Sequence, residues 1–323
     1  MEQWIRQCRL TVQINKDQPQ ALDLSEFRIV FHVAQPTTEQ PKYAEIYIYN
    51  MSHKTMNTLA GENSQNKDTQ VILEVGYKSG PLETLFRGTS FQFRKGRDNQ
   101  TDTWLCILAQ CADTVKSAAV VNNSLPAGTS LNDMQQFILQ QYSSYGIDIG
   151  ETPQLAEQRY PRGRVFFGSL DRHANQFYKD NNTSCSVDDD TFNAIPLGKY
   201  SVIPMLSLNK ENGMIGMPRL TSEGVQVTSL INPKFKRNGR IQIDLSNLQT
   251  ESYDVQYGQQ GVDQPFKNQN LATNAQGTFI IVSVEHYGDM RGDECYSTLI
   301  CVGVDTVVPK SGLLISGVDD NGT

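Results

Sequence analysis

The chain is poor in the residues on which most site chemistry depends. Its 323 residues include four histidines, His32, His53, His173 and His286, and two tryptophans, Trp4 and Trp104. No His-x-x-x-His or His-Glu-x-x-His spacing occurs, which excludes the helical zinc motif of metalloproteases. There is no Cys-x-x-Cys pair, no Gly-rich phosphate loop and no Gly-x-Ser-x-Gly elbow. Six cysteines are present, but their spacing favours buried free thiols over a disulfide or a zinc site. At ~3.3 Å per residue, Cys106 and Cys111 lie about 16 Å apart on opposite faces of a strand, and Cys295 and Cys301 about 20 Å apart. No run approaches the roughly 20 apolar residues of a membrane-spanning helix. The start, Met-Glu-Gln-Trp-Ile-Arg-Gln-Cys, lacks the apolar core of a signal peptide, so synthesis and folding in a cytoplasm are expected. Positive charge is also scarce. Lys and Arg number 28 against 35 Asp and Glu, a net charge of -7, which argues against gripping nucleic acid by neutralising phosphates. The sequence therefore assigns no catalytic, cofactor-binding or metal-ligating residue.

What it does contain is one β-rich pattern near each end, around a different middle. Tyr43–Asn50 alternates strictly, with Ala44, Ile46 and Ile48 on one face, and is followed by strand patterns at Leu85–Lys95 and Thr103–Ala109. Near the C-terminus Asn238–Asn247 alternates likewise, followed by Thr278–Asp289 and Tyr296–Val304. Each copy reads as an alternating strand, a gap, and two strands joined by a charged, Gly-containing turn. Further strands are expected at Arg9–Ile14, Phe27–Ala34 and Val71–Tyr77, with a short helix from Ser52 to Ala60 ended by Gly61.

From Val120 the periodicity changes. Leu131, Met134, Phe137, Ile138 and Tyr142 follow helical spacing, so a helix is expected over Leu131–Tyr145, capped by Thr129 or Ser130 and ended by Gly146. A second helix is expected over Leu170–Lys179 behind Ser169. A hairpin follows, Cys185–Val187 and Phe192–Pro196, turning at Asp188-Asp189-Asp190. The fold class read from these patterns is mainly β with an α+β insert: two antiparallel barrel or sandwich units flanking a small helix-containing domain. The expected boundaries are 1–119, 120–200 and 201–308, with a C-terminal extension over 309–323.

The candidate functional residues are interface residues. Arg159, Arg162 and Arg164 form the densest basic cluster. The turn Gly96–Asp98 offers Arg97 and Asp98, and the turn Asp289–Asp293 offers Arg291 and Asp293. Tyr257–Gly277, almost without hydrophobic residues, includes Gln259, Gln260 and Phe266. Such a polar connection inside a domain is usually functional or disordered. Leu313–Val318, with Leu313 and Ile315, has the pattern of a strand able to add to a neighbour. Asp188–Asp190 is read as a solvated turn, since the closing Glu of a calcium loop is absent. Arg291-Gly292-Asp293 spells an adhesion tripeptide, but acids, Gly and Arg are ordinary in a turn.

Several segments resemble those of baseplate hub proteins of long-tailed bacteriophages, which share their β units with tail-tube proteins and contractile injection systems. They are Ala44–Ser52, Val71–Tyr77, Leu85–Thr89, Thr101–Leu105, Met214–Val227 and Leu230–Phe235, in order over about residues 8–308. The resemblance implies two tail-tube-like units per chain and a homotrimeric, pseudo-sixfold ring. Such a ring would join the sixfold tail tube, or a distal tail ring, to a threefold central spike. Tape-measure and baseplate wedge proteins are further implied partners, with no membrane and no cofactor. DNA would pass as transient cargo, and the implied location is the virion baseplate, assembled in the bacterial cytoplasm. Charge agrees with that role: three copies carry 3 × (-7) = -21, and an acidic wall repels phosphate over a Debye length of about 8 Å. Two rival functions fit the same composition less well: a peptidoglycan hydrolase on a hub-like scaffold, and a carbohydrate-binding module for host attachment. The first needs two carboxylates in one cleft. The second needs clustered aromatics, whereas Trp4 and Trp104 lie far apart.

Overall fold

The computed structural model describes residues 5–15, 18–36, 40–60, 69–221, 224–244, 249–250 and 276–304. The first part of the chain runs β1 (Arg6–Asn15), β2 (Gln18–Asp23), β3 (Ile29–Gln35), β4 (Tyr43–Tyr49), α1 (His53–Ala60), β5 (Gln70–Tyr77), β6 (Glu83–Arg97) and β7 (Thr103–Gln110). The middle holds α2 (Asp113–Ala118), β8 (Val120–Leu125), α3 (Leu131–Ser144), β9 (Asp148–Ile149), β10 (Arg164–Ser169), α4 (Leu170–Asp180), β11 (Thr183–Asp188) and β12 (Thr191–Pro196). The last part comprises β13 (Leu206–Leu208), a 3-10 turn (Lys210–Asn212), β14 (Met214–Thr221), β15 (Gly224–Leu230), β16 (Arg240–Asp244), β17 (Gln249–Thr250), β18 (Gln276–Asp289) and β19 (Cys295–Gly303).

Alternation decides which side of each strand is buried. In β4 Ala44, Ile46 and Ile48 are buried, while Tyr43, Glu45, Tyr47 and Tyr49 face the other way. They pack with Leu10 and Val12 of β1, Phe31 and Val33 of β3, Leu73 of β5 and Ile107 of β7 in a first core. β6 makes that core possible. It pairs with β5 through Glu83–Thr89 and with β7 through Thr89–Arg97, and a bulge between Ser90 and Gln92 turns it from one layer into the other. A second β core gathers Leu208, Val225, Val227, Ile241, Ile243, Phe279, Val284 and Leu299. At about 1.5–3 kcal/mol per fully buried aliphatic side chain, each cluster has ample driving force for its own layer.

Between them the helical insert builds a third core. Ser130 Oγ accepts the Asp133 amide at 3.1 Å while the Asp133 carboxylate accepts from the Ser130 amide, a capping box that fixes the start of α3. Ser169 Oγ accepts the Arg172 amide at 3.3 Å and caps α4. Met134, Ile138 and Tyr142 of α3 then meet Ala174, Phe177 and Tyr178 of α4 over Phe192 of β12.

The mainly-β class with an α+β insert is therefore observed, but not as two closed barrels. The described strands of both β parts belong to one fourteen-stranded sheet, ordered β17-β14-β15-β19-β18-β3-β4-β7-β6-β5-β1-β2, with β16 on β18 and β13 on β16. Strands nearly 250 residues apart in sequence, β3 and β18, form its central seam. All six cysteines are unpaired; five are buried and Cys8 is half-buried.

Candidate assembly interface

The order of the shared sheet shows the duplication at the level of hydrogen bonds. The first part reads β3-β4-β7-β6-β5-β1 and the last part β14-β15-β19-β18-β16-β13, with the same chain order within each. The two long strands carry a bulge at the same step, between Ser90 and Gln92 in β6 and between Ile281 and Ser283 in β18. Leu108 lies opposite Gln92, as Ile300 lies opposite Ser283, so residue 90 of β6 corresponds to residue 281 of β18 and the two run in step from there. The same bookkeeping matches Ile46 of β4 with Val227 of β15, since they oppose Ile107 and Leu299. This corrects the sequence reading, which matched Tyr43–Asn50 with Asn238–Asn247. The true counterpart of β4 is β15, and β16 corresponds to β5. The copies differ at their rims: β1 runs antiparallel to β5, whereas the short β13 runs parallel to β16.

The seam between the copies is a ladder running from Val284 opposite Gln35 to Asp289 opposite Val30. Gly288 lets it close, since a Cβ there would come within 2.4 Å of the Phe31 ring. Beyond the ladder the tip of the β18–β19 hairpin is tied down. Arg28 Nη2 reaches Asp289 Oδ2 at 2.6 Å, the Met290 amide donates to the Ile29 carbonyl at 3.0 Å, and Arg291 Nη2 donates to the Glu26 carbonyl at 2.8 Å. Arg6 Nη2 donates to the Asp293 carbonyl at 2.9 Å. Desolvation pushes the Asp289 carboxyl up, but the hydrogen bonds from Arg28 and from the Arg291 and Gly292 amides outweigh it and leave its pKa below the ordinary value. Within the seam, His286 is fully buried with Nδ1 2.8 Å from Ser297 Oγ. Burial drives its pKa down to about 3, so the ring is neutral at physiological pH.

The insert is fastened to both copies by the Asp188–Asp190 turn, and here the sequence reading of a solvated turn is wrong. Asp189 and Asp190 are the two loop residues between Asp188 and Thr191, with φ of 52° and 59°. Two left-handed residues are the pattern of a type I′ hairpin, where Asn-Gly is the usual choice. Asp is tolerated at such φ at a modest cost, and here the carboxylates are fully engaged. Lys42, 4 % exposed, sits 2.8 Å from Asp189 Oδ1, and Lys236 sits 3.5 Å from Oδ2. The Arg87 amide also donates to Asp189, and Arg87 Nε lies 3.2 Å from Asp190. Arg237, its side chain 2 % exposed, lies 3.0 Å from Asp188 and donates to the Pro36 carbonyl. Lys42 and Arg87 belong to the first copy; Lys236 and Arg237 belong to the second. Burial alone would lower the Lys42 pKa, yet the pull of Asp189 leaves it above the ordinary lysine value. Beneath the turn Cys111 Sγ donates to the Arg87 carbonyl at 3.0 Å and accepts from the Asp189 amide at 3.4 Å, a structural thiol that burial pushes well up in pKa.

The other candidate residues are scattered. Arg159 Nη1 donates to the Gly128 carbonyl at 3.0 Å, and Arg164 stacks over Tyr160 and reaches its hydroxyl at 3.1 Å, so both serve the insert itself. Arg162 is exposed. Arg291 and Asp293 are held at the seam, whereas Arg97 and Asp98 sit exposed at the tip of the equivalent β6–β7 hairpin. Gln259, Gln260, Phe266, Leu313 and Ile315 lie outside the described residues. Sequence reasoning missed the open face of the sheet. There Tyr43, Glu45, Tyr47 and Tyr49 of β4 share a side with His32 and Trp104, and Tyr287, opposite His32, continues it across the seam. Tyr43 packs edge-on to His32 at 6.1 Å, Tyr47 edge-on to Trp104 at 5.4 Å, and Arg28 lies over Tyr49 at 4.8 Å. A small cavity between Gln40–Pro41 and Tyr142, Asp171, Asn175 and Cys185 holds about 20 Å³, room for about one water and no saccharide.

The fold is shared with solved tail proteins. The 43 kDa tail protein of prophage MuSo2 from Shewanella oneidensis superposes with a TM-score of 0.58 at 7 % identity, over 93 % of this chain and 99 % of that one. The tail protein of Neisseria meningitidis MC58 gives 0.52 at 7 % identity, over 92 % and 96 %. The Escherichia coli c3393 protein gives 0.52 at 9 % identity, over 86 % and 73 %; it is a type VI secretion component described as similar to T4 tail proteins gp27 and gp5. At such identities the likeness establishes the fold. No curated protein sequence matches the chain. The family profile described as Baseplate hub gp41 matches residues 8–250, and the chain belongs to that family.

Proposed function

We propose that the chain is a structural subunit of the baseplate hub in a phage tail. Three copies would form a ring in which six equivalent β units surround a channel. One rim of that ring meets the sixfold tail tube or a distal tail ring; the other holds a threefold spike, with tape-measure and wedge proteins as further neighbours. DNA passes through the bore, and the open, tyrosine-rich face of the shared sheet lines it. The ring is assembled in the bacterial cytoplasm and ends in the virion baseplate. The single observation that carries this reading is the repeated strand order with its matching bulges, joined edge to edge by β3 and β18. Two equivalent units joined head to tail are a heterologous contact, and such contacts close into rings when the rotation permits. The test is native mass spectrometry and electron microscopy of the purified chain, alone and co-expressed with its tail neighbours. A mass of three chains and a threefold image with a central hole are expected. A monomer under every condition overturns the reading.

A further inference from the structure

The linker that leaves the insert for the second copy carries an exposed apolar ridge. Leu197, Tyr200, Val202, Pro204 and Met205 are exposed, Val202 by 81 %. Val202 to Met205 are four apolar residues in a row, a pattern that a folded surface carries only for a purpose. The ridge is fixed in place. The Ser201 amide donates to the Asn238 carbonyl at 2.8 Å, and the Ser201 hydroxyl and Val202 amide both donate to Glu151 Oε1, at 2.7 and 2.9 Å. Beside it the Arg240 guanidinium lies over the Tyr200 ring at 4.4 Å. Arg240 Nε is buried without a hydrogen-bond partner, and among the described residues no carboxylate pairs with this cation. The ridge therefore fits an occupant that is apolar along its length and acidic at one end.

The described part of the chain ends close by. The Val304 amide donates to the Thr278 carbonyl at 3.1 Å, and Thr278 lies opposite Gln242 of β16. β13, which follows Met205 directly, is the next strand, with Ser207 opposite Gln242. At ~4.8 Å between neighbouring strands, Val304 is about 14 Å from Ser207. Residues 305–323 follow, among them Leu313-Leu314-Ile315 and, after Val318, Asp319-Asp320. The connection from Val304 to Leu313 can span up to ~30 Å, twice what is needed. We infer that Leu313–Asp320 docks on the ridge of its own chain, with Leu313 and Ile315 covering Val202 and Met205 and the two aspartates meeting Arg240. So short a tether gives an effective concentration on the order of mM, which favours this ridge over that of another molecule. Docked there, the extension covers the junction at which Ser201 ties Glu151 of the insert to Asn238 of the second copy.

Docking within one chain does not depend on the ring and is tested on full-length protein at low concentration. Hydrogen exchange is followed by mass spectrometry against a synthetic peptide of residues 305–323. The amides of Leu313–Asp320 are expected to exchange about tenfold more slowly in the protein than in the peptide, a closing free energy of ~1.4 kcal/mol. V202D/M205D, two changes at exposed positions, should return them to the peptide rate while β15 keeps its protection. D319N/D320N should weaken the protection, as should added salt in the wild type. Peptide-like exchange in the wild-type chain overturns the inference, as does protection that V202D/M205D leaves intact. Protection that vanishes on dilution overturns docking on the chain's own ridge and assigns the segment to a second copy. A cysteine pair gives a separate readout: M205C/I315C, oxidised mildly, should close into a monomer of faster mobility on a gel without reductant. A chain that stays open, or that links into dimers, overturns the proposal.

Discussion

The β18–β19 and β6–β7 hairpins are built alike and used differently. Both bend at the same bulge, and both end in an acidic residue at the same step, Asp289 and Asp98. Asp289 is buried against Arg28 with its hairpin tip bonded to Glu26–Ile29 and to Arg6 of the first copy, whereas Asp98 and Arg97 are exposed. The difference shows that the hairpin shape is intrinsic to the repeated pattern, while docking is a property of what lies across the edge. One hairpin has found its partner inside the molecule; the other presents the same backbone edge outward.

The sharpest way to break the comparison is to detach the insert that spans both copies. D189A leaves the Lys42 ammonium buried without its main partner, and losing one member of a buried pair costs about 3–5 kcal/mol. Urea denaturation should show that loss, whereas a change below about 0.5 kcal/mol would mean the turn is solvated after all. Next in size is G288V, which drives a side chain into Phe31 and should cost about 1–3 kcal/mol. Its counterpart R97V, on the open hairpin, should leave the melting temperature of the monomer unchanged. Equal losses at both sites would erase the distinction between docked and open edges. A smaller contrast is expected for D289A against D98A. Removing a carboxylate bonded to Arg28 should cost about 1.5 kcal/mol, the low end for charged hydrogen bonds because Arg28 is half exposed, and the Asp98 change should fall within experimental error.

A contrast of another kind is a pH dependence confined to the seam. His286 is held neutral by burial, with a pKa near about 3, while in the unfolded chain it titrates near about 6.5. Below that value the unfolded chain binds the extra proton, so stability falls as pH drops from about 6.5 toward about 3, by at most ~1.4 kcal/mol per pH unit. The depressed carboxyl of Asp289 adds a loss of the same sign only at lower pH, below the ordinary Asp value near about 3.9. H286Q should flatten the stability profile between pH 6 and pH 4 relative to wild type in thermal melts. An unchanged slope would show that His286 is solvated in the folded chain.

Local periodicity made much of this legible. β4, β7, β18 and β19 were readable from alternation, and α3 and α4 from their apolar spacing and Ser caps, because those signals lie within ten or fifteen residues. The seam was not, since nothing in Ile29–Gln35 names Val284–Asp289 as its partner; pairing register is set by the assembled cores. β14 was hard to read as a strand because Gly216 and Pro218 interrupt the alternation. The Asp188–Asp190 turn was misread for a related reason. Three acids in a turn look solvated until Lys42 and Arg237, far away in sequence, fold over them. Arg97 and Asp98 were chosen as turn residues, and their meaning came only from comparison with the docked twin.

The internal seam also has a kinetic meaning for assembly. The proposed ring has six joints, and six separate units would need five bimolecular encounters to build it. Fusing units in pairs makes half of those joints unimolecular, at the high effective concentration of segments in one polypeptide. Formation then scales with the third power of subunit concentration instead of the sixth, and a hub can nucleate while its subunits are still sparse.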